Sequence, residues 1–140
     1  MIENDTREGS DDQPAWSEDL RLFALRGATT TTENSEDQII EATEELVVEI
    51  LKRNDLAPAA LVSCIFTCTT DLDAQFPAVA ARRLGLDKVP LLCATEIAVP
   101  GSLPRAIRIL AHYYAPSDHE PTHVYLRDAV TLRADLSAAQ

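Results

Sequence analysis

Apolar residues along the chain repeat at two different spacings, which predicts a mixture of helix and strand. Between Ser35 and Asn54 they recur at helical spacing, and Ser35 with Gln38 three residues later is typical of a capping box. Other segments are continuous apolar runs of the kind that forms buried strands. We therefore predict a helix after Ser35 and strands at 21–27, 61–69 and 89–97.

The second half of the chain predicts two more helices and a last strand. Pro77 is placed to open a short helix within 71–86, and Pro116 follows a segment, 103–115, that we predict to be a longer helix. The apolar segment 123–132 predicts the final strand. The resulting order, β-α-β-α-β-α-β, indicates an α/β or α+β fold with helices packed on a sheet.

The predicted helices are too few for the predicted sheet. Only two of them are substantial, and two helices cannot cover both faces of about four or five apolar strands. Apolar strand faces left open to water are unfavourable, so association of several copies of the chain is the simplest remedy. The pattern therefore predicts an oligomer.

The chain of 140 residues has the usual size of one domain. Residues 1–19 are acidic and hold few strong apolar side chains, so we expect a flexible extension there, then one domain at 20–136 and a tail at 137–140. The N-terminus lacks the basic flank and apolar core of a secretory signal, and no apolar run is long enough to span a bilayer. These features predict a cytoplasmic location.

The net charge of −11 argues against binding to nucleic acid or to anionic membranes. Arginines nevertheless stand beside apolar segments, among them Arg26, Arg82, Arg108 and Arg133. An acidic protein that keeps arginines near its core elements is suited to a small anionic ligand. For any single arginine, an ordinary surface ion pair is the alternative interpretation.

The motifs of nucleotide binding, zinc catalysis and serine hydrolysis do not occur: there is no G-x-G-x-x-G, P-loop, H-E-x-x-H or G-x-S-x-G. Cys64 and Cys68 form a C-x3-C pair that does not match zinc spacing, so we predict no metal site. One residue stands out instead. Glu96 lies near the end of an apolar strand, three residues after Cys93, and is either a solvated strand end or a functional group.

Several short motifs occur together in this order: RGATT (26–30), T-x-DL-x-A-x-FPA (69–78), VP-x-x-C-x-x-E (89–96), G-x-L-x-x-x-IR (101–108), HVYL (123–126) and LR-x-DL (132–136). Through them the chain resembles the trimeric, monofunctional chorismate mutases of the pseudo-α/β-barrel type, over about 22–136. The resemblance implies a homotrimer with active sites at subunit interfaces. It also implies conversion of chorismate to prephenate, on the route to phenylalanine and tyrosine, without a cofactor or covalent intermediate.

The resemblance assigns roles to individual residues. Arg108 matches the arginine that donates to the breaking ether oxygen, and Arg26 matches an arginine on a substrate carboxylate. Tyr125 matches a tyrosine that donates to the same end of the substrate. Glu96 matches a glutamate that accepts from the ring hydroxyl, with Cys93 beside it.

Further pocket residues follow from the resemblance, some of them supplied across the subunit interface. Phe76 and Arg82 correspond to residues at that interface or near the mouth of the site. Leu132 lines the pocket, and Arg133 lies close to the entrance, where the C-terminal tail closes over ligand. Leu92 belongs to the ring site but stands where the family usually has threonine, so one side-chain contact is lost.

The role of Glu96 sets a condition on the strand before it. Alternation along a strand places Cys93 and Glu96 on opposite faces. The strand must therefore end or bulge near Ala94 and Thr95 if both are to serve a substrate site.

Two other functions stay open from the sequence. The same trimeric architecture with clefts between subunits serves small-molecule binding and deaminase-like proteins of the reactive-imine-clearing family, so a catalytically silent metabolite binder is one alternative. The acidic extension is the basis of the other, a docking arm for a second enzyme of aromatic biosynthesis.

Overall fold

The computed structural model describes residues 19–133, which form one mixed sheet with helices beside it. A 3₁₀ turn precedes the second strand, a π-helical turn follows the second helix, and another 3₁₀ turn follows the last strand. The elements are β1 (Leu20–Thr30), α1 (Glu36–Arg53), β2 (Leu61–Cys68), α2 (Pro77–Ala81), β3 (Leu91–Thr95), β4 (Ala106–Pro116) and β5 (Val124–Tyr125).

The sheet has five strands in the order β3-β2-β4-β1-β5. The long strand β4 lies in the centre and pairs antiparallel with β1 and β2. The outer pairs, β2 with β3 and β1 with β5, are parallel. This mixed sheet with its two helices confirms the predicted α+β class.

Helix α1 begins and ends with the residues that the sequence predicts. The Ser35 hydroxyl accepts a hydrogen bond from Gln38 N at 3.2 Å. The Gln38 side chain turns instead to the preceding loop, where its oxygen accepts from Thr32 N at 2.9 Å. At the other end, Asn54 N donates to Ile50 O at 3.2 Å.

The core lies between α1 and one face of the sheet, and Gly27 sets how closely they approach. A Cβ at this position would lie 2.9 Å from Ile50 Cδ1 and 3.0 Å from Ile109 Cγ2. Only glycine leaves room for the Ile50 side chain at this point. The helix therefore packs directly over the strand that carries Arg26.

The opposite face of the sheet is open along much of its area. Leu22 pairs with Tyr114 across β1 and β4, and both side chains are exposed. Leu92 pairs with Ile65, which pairs with Leu110, and Leu92 is 62% exposed. Within the described part of the chain, the helices leave these apolar residues uncovered, as the shortage of helices predicts.

The prediction of a helix at 103–115 is wrong, because this segment forms strand β4. Its burial alternates strictly from Ile107 to Ala115, with odd-numbered residues buried and even-numbered ones more exposed. Apolar residues at even positions, such as Leu110 and Tyr114, gave the segment a false helical spacing. The second helix of the fold is instead the short α2.

The predicted final strand at 123–132 is also largely wrong. Strand pairing covers only Val124–Tyr125, and a 3₁₀ turn occupies Arg127–Thr131. Arg127 has a φ of 54°, which turns the chain out of the sheet. This early turn brings the segment that follows back beside the open face of β1.

Some predicted features fall outside the described residues. These are the acidic extension at 1–19, apart from its last residue, the last three residues of the predicted domain at 134–136, and the whole C-terminal tail at 137–140. Within residues 19–133, no helix is long and apolar enough to cross a bilayer.

Candidate active site

A cavity of about 250 Å³ opens on the uncovered sheet face, between β1, β4 and β5. Four residues that the sequence predicts for the site line it, although they lie far apart along the chain. They are Arg26, Arg108, Tyr125 and Leu132.

The sheet register explains why these side chains meet. Ala28 of β1 pairs with Arg108 on one side and with Tyr125 on the other. Directly paired residues of neighbouring strands project from the same face, so the three form one row. Because Ala28 is small, it leaves a gap between the two larger side chains, and this gap is part of the cavity.

Glu96 forms an ion pair with Arg108, with 2.9 Å between Glu96 Oε2 and Arg108 Nε. Thr67, which pairs with Arg108 in the sheet, donates its hydroxyl to the same oxygen at 2.6 Å. The Glu96 side chain is 14% exposed. These contacts exclude the interpretation of Glu96 as a solvated strand end.

The strand that precedes Glu96 ends where the sequence analysis requires. Strand β3 stops at Thr95, and Glu96 N then donates to Cys68 O at 2.9 Å. This strand end does not bring Cys93 and Glu96 to one face, so within one chain they do not serve the same side of the sheet. The carboxylate reaches Arg108 on the open face, whereas Cys93 pairs with Phe66, whose side chain lies in the core.

The Tyr125 hydroxyl is buried and has no hydrogen-bond partner among the residues that the structure describes. A buried hydroxyl without a partner costs about 1–3 kcal/mol, so such groups are uncommon unless a ligand satisfies them. Tyr125 lines the same cavity as Arg26 and Arg108. An anionic oxygen bound there would be a suitable acceptor.

A second cavity, of about 310 Å³, lies beside the loop that leads into α2. It contains Phe76 and Cys93, together with Cys68. Phe76 is 64% exposed, which is unusual for a phenylalanine. Within this chain, these two predicted site residues are thus separate from the cavity of Arg26 and Arg108.

The remaining predicted residues are at the surface. Leu92 lies on the open sheet face, in the row that also contains Leu110 and Arg26. Arg82 and Arg133 are exposed and line neither of these two cavities.

Cys64 and Cys68 are poor nucleophiles. Burial raises the pKa of the Cys64 thiol to about 11. Burial, and then the nearby Cys93 and Glu96, raise the pKa of the Cys68 thiol to about 12. In the described residues 19–133, no group of three or more His, Cys, Asp or Glu side chains is arranged to hold a metal ion.

Two residues of this site were not identified individually from the sequence. Thr67 is one of two polar residues, with Ser63, in a strand that is otherwise apolar, and that contrast is the signal that points to it. Ala28 is part of the RGATT motif, but its importance lies in its small size between two larger neighbours. Only the strand register reveals this.

Comparison with known proteins finds similarity to one family over most of the chain. Residues 22–136 match the family model of chorismate mutase type I. The chain is 48% identical over 118 residues to the chorismate mutase AroH of Thermus thermophilus, covering 83% of this chain and 97% of that protein. It is 39% identical over 121 residues to AroH of Bacillus subtilis, covering 84% and 94%. A solved chorismate mutase from Clostridium thermocellum superposes with a TM-score of 0.74 at 43% identity, covering 78% of this chain and 98% of that one.

Proposed function

This chain belongs to the chorismate mutase type I family and is an isomerase, and we propose that it rearranges chorismate to prephenate in the cavity between β1, β4 and β5. The observation that carries the choice of site is the row of Arg108, Ala28 and Tyr125. It places a guanidinium and an unpartnered hydroxyl on either side of a gap.

The reaction needs neither a nucleophile nor a proton transfer. Within one molecule the ether C–O bond breaks as a C–C bond forms, and the electron pairs shift around a ring of six atoms. Negative charge develops on the ether oxygen and its enolpyruvyl fragment, and positive charge develops on the ring. A catalyst must hold the substrate in its compact conformer and stabilise these charges.

Arg108 is placed to stabilise the developing negative charge. Glu96 binds its Nε and so fixes the plane of the guanidinium. The side chain is 44% exposed and lines the cavity. We assign the remaining donors of Arg108 to the ether oxygen, and the Glu96 carboxylate to the ring hydroxyl and the developing positive charge.

Arg26 and Tyr125 bind a substrate carboxylate in this proposal. Both line the cavity from the side away from Glu96, because Tyr125 and Arg108 flank Ala28 from opposite strands. A carboxylate accepts hydrogen bonds from a guanidinium and a phenol together, and it would satisfy the buried Tyr125 hydroxyl. The same contacts of the carboxylate would then both bind the substrate and fix its orientation.

The site is completed by a second copy of the chain, and the working unit is a homotrimer in the cytoplasm. The open sheet face exposes Leu22, Leu110 and Tyr114, which association would bury. The cavity of Phe76 and Cys93 is the part of a neighbouring subunit that would close over Arg108. Arg82 and Leu92 would then lie near the same interface.

A direct assay tests the proposed function. Purified protein is added to chorismate, the loss of chorismate absorbance is followed, and prephenate is identified as the product. Acceleration over the spontaneous reaction, abolished in Arg108→Ala, is the expected result. Binding of chorismate without acceleration would instead establish the metabolite binder. Sedimentation of the same sample as a monomer would reject the homotrimer.

A further inference from the structure

Strand β5 carries Tyr125 but has little main-chain pairing to hold it. Its two residues pair with Gly27 and Ala28, and Leu126 N donates to Ala28 O at 2.9 Å. A strand this short is weakly fixed by its own ladder. The position of Tyr125 relative to Arg26 therefore depends on other contacts.

His123 makes such a contact directly on β1. Its Nδ1 accepts a hydrogen bond from Arg26 N at 3.0 Å. The imidazole thus takes the place of a main-chain acceptor and extends the contact between β5 and β1 by one residue. His123 also precedes Tyr125 by two residues, so one side chain links the segments that carry both binding residues.

Other contacts hold this segment at positions farther from the cavity. The Asn54 side chain, at the end of α1, accepts from Thr122 N at 2.7 Å and donates to Thr122 O at 3.0 Å. Arg127 Nη1 donates to Thr30 O at 3.2 Å. Neither Asn54 nor Thr30 lines the cavity, whereas Arg26 does.

The contact requires an imidazole without a proton on Nδ1. Partial burial and the nearby positive charge of Arg26 lower the pKa of His123 below its ordinary value. Arg26 is the charged group that faces the ring from β1, and the Asn54 side chain, which packs on the adjacent Thr122 from α1, is neutral. The ring is therefore an acceptor at neutral pH and loses that ability in acid.

We propose that His123 is a positioning residue: its Nδ1 fixes β1 at Arg26 against β5, so that Arg26 and Tyr125 meet the same substrate carboxylate. The inference rests on the proposed function, because it concerns the same cavity. His123 acts through Arg26 and does not touch the substrate.

Two substitutions of His123 distinguish the loss of a hydrogen-bond acceptor from the loss of side-chain volume. His123→Ala removes the acceptor and is expected to raise KM for chorismate about five- to tenfold at about pH 7.5, with a smaller change in kcat. His123→Asn offers a carboxamide oxygen close to the place of Nδ1 and is expected to recover most of that loss. In the unmodified enzyme KM should rise in acid, at a pH below the ordinary imidazole value of about 6.5 because the pKa of His123 is lowered, and His123→Asn should lack this rise.

His119→Ala is the matched control. Its ring bonds the Tyr113 hydroxyl at 2.7 Å, away from the site residues, so its loss should lower thermal stability and leave KM within about twofold. In the double variant Arg26→Ala/His123→Ala, loss of the histidine should raise KM by less than it does in the unmodified chain, because only Tyr125 of the two binding side chains is left for it to position.

An unchanged KM in His123→Ala would overturn the inference, and so would a raised KM that His123→Asn does not recover. Arg26→Ala separates this failure from that of the proposed function. If Arg26→Ala is itself fully active, the proposed site is wrong and the inference falls with it. If Arg26→Ala is impaired and His123→Ala is not, only the role of His123 is wrong.

Discussion

The two cavities that hold the predicted site residues are built in different ways. The cavity of Arg26, Arg108 and Tyr125 lies on a paired sheet, where register fixes each backbone position and Glu96 holds the arginine. The cavity of Phe76 and Cys93 lies at a loop and the start of a five-residue helix, with its aromatic ring exposed.

In the proposed homotrimer, this difference would divide the parts of one site between two copies of the chain. A rigid sheet suits charged donors, because electrostatic stabilisation depends on groups that do not have to reorganise. An exposed aromatic ring suits a surface that becomes buried when another subunit is added. In that proposal, one chain supplies the charges of one site and the apolar cover of the next.

Arg108→Lys should give the largest effect, because it changes the group at the breaking bond. Lysine keeps the positive charge but lacks the planar fork that binds Glu96 and an oxygen together. We expect kcat to fall by about 10³-fold or more, with a much smaller change in KM. Steady-state kinetics on chorismate measure both, and near-normal turnover would remove Arg108 from the mechanism.

Arg53→Lys is the matched control for that change. Arg53 also pairs with a carboxylate through Nε, at 2.8 Å from Glu49, but on the outer surface of α1. Its replacement should leave kcat within about twofold, because exposed ion pairs contribute little.

Mixed assemblies test whether the two cavities belong to one site. Arg108→Ala and Phe76→Ala should each be impaired alone, Phe76→Ala by about 10- to 100-fold in kcat/KM, through lost cover of the substrate. In trimers assembled from both variants, some interfaces combine an intact Arg108 from one copy with an intact Phe76 from another. These interfaces should regain activity. Co-expression with two different tags isolates the mixed species, and activity no higher than the average of the parents would contradict the shared site.

Tyr125→Phe should lower activity while sparing the fold. The hydroxyl has no partner among the described residues, so its removal should leave stability unchanged or slightly higher. We expect kcat/KM to fall about 10- to 100-fold, as for loss of a hydrogen bond to a charged group. Denaturant unfolding and steady-state kinetics on one preparation provide the two readouts.

Tyr113→Phe should show the opposite pattern. Tyr113 is fully buried in the core, and its hydroxyl is paired with His119 at 2.7 Å. Its loss should reduce stability by about 1 kcal/mol and leave kcat/KM nearly unchanged. If Tyr125→Phe behaved in the same way, the hydroxyl would be structural.

The sequence predicts local features of this molecule better than those that depend on pairing. The Ser35 cap and the end of α1 follow from neighbouring residues, and both are confirmed. The segment 103–115 fails because both of its faces carry apolar residues, one facing α1 and the other facing the open side. When both faces of a strand are apolar, the sequence does not show the alternation of apolar and polar residues that predicts a strand.

The candidate site shows the same limit. The resemblance to a family selects Arg26, Arg108 and Tyr125 without any knowledge of the sheet, and the structure brings all three to one cavity. The resemblance does not identify Ala28 or Thr67 individually. Each of them contributes to the site through Arg108, with which it is paired in the sheet. The separation of Cys93 from Glu96 is different, because alternation along the strand predicts it from the sequence and the end of β3 at Thr95 does not change it.

Gly27→Ala is expected to act on stability, and it probes the face opposite the open one. The new Cβ would lie 2.9 Å from Ile50 Cδ1, which is the far end of a flexible side chain. We expect a loss of about 1–3 kcal/mol in the free energy of unfolding, as for other overpacked sites. Ile50→Val deletes that methyl group, so the double variant should lose less than the sum of the two single losses. If the two losses in the free energy of unfolding were strictly additive, α1 would not approach β1 at this point. Contacts other than those of α1 would then have to hold the strand that lines the cavity of Arg26 and Arg108.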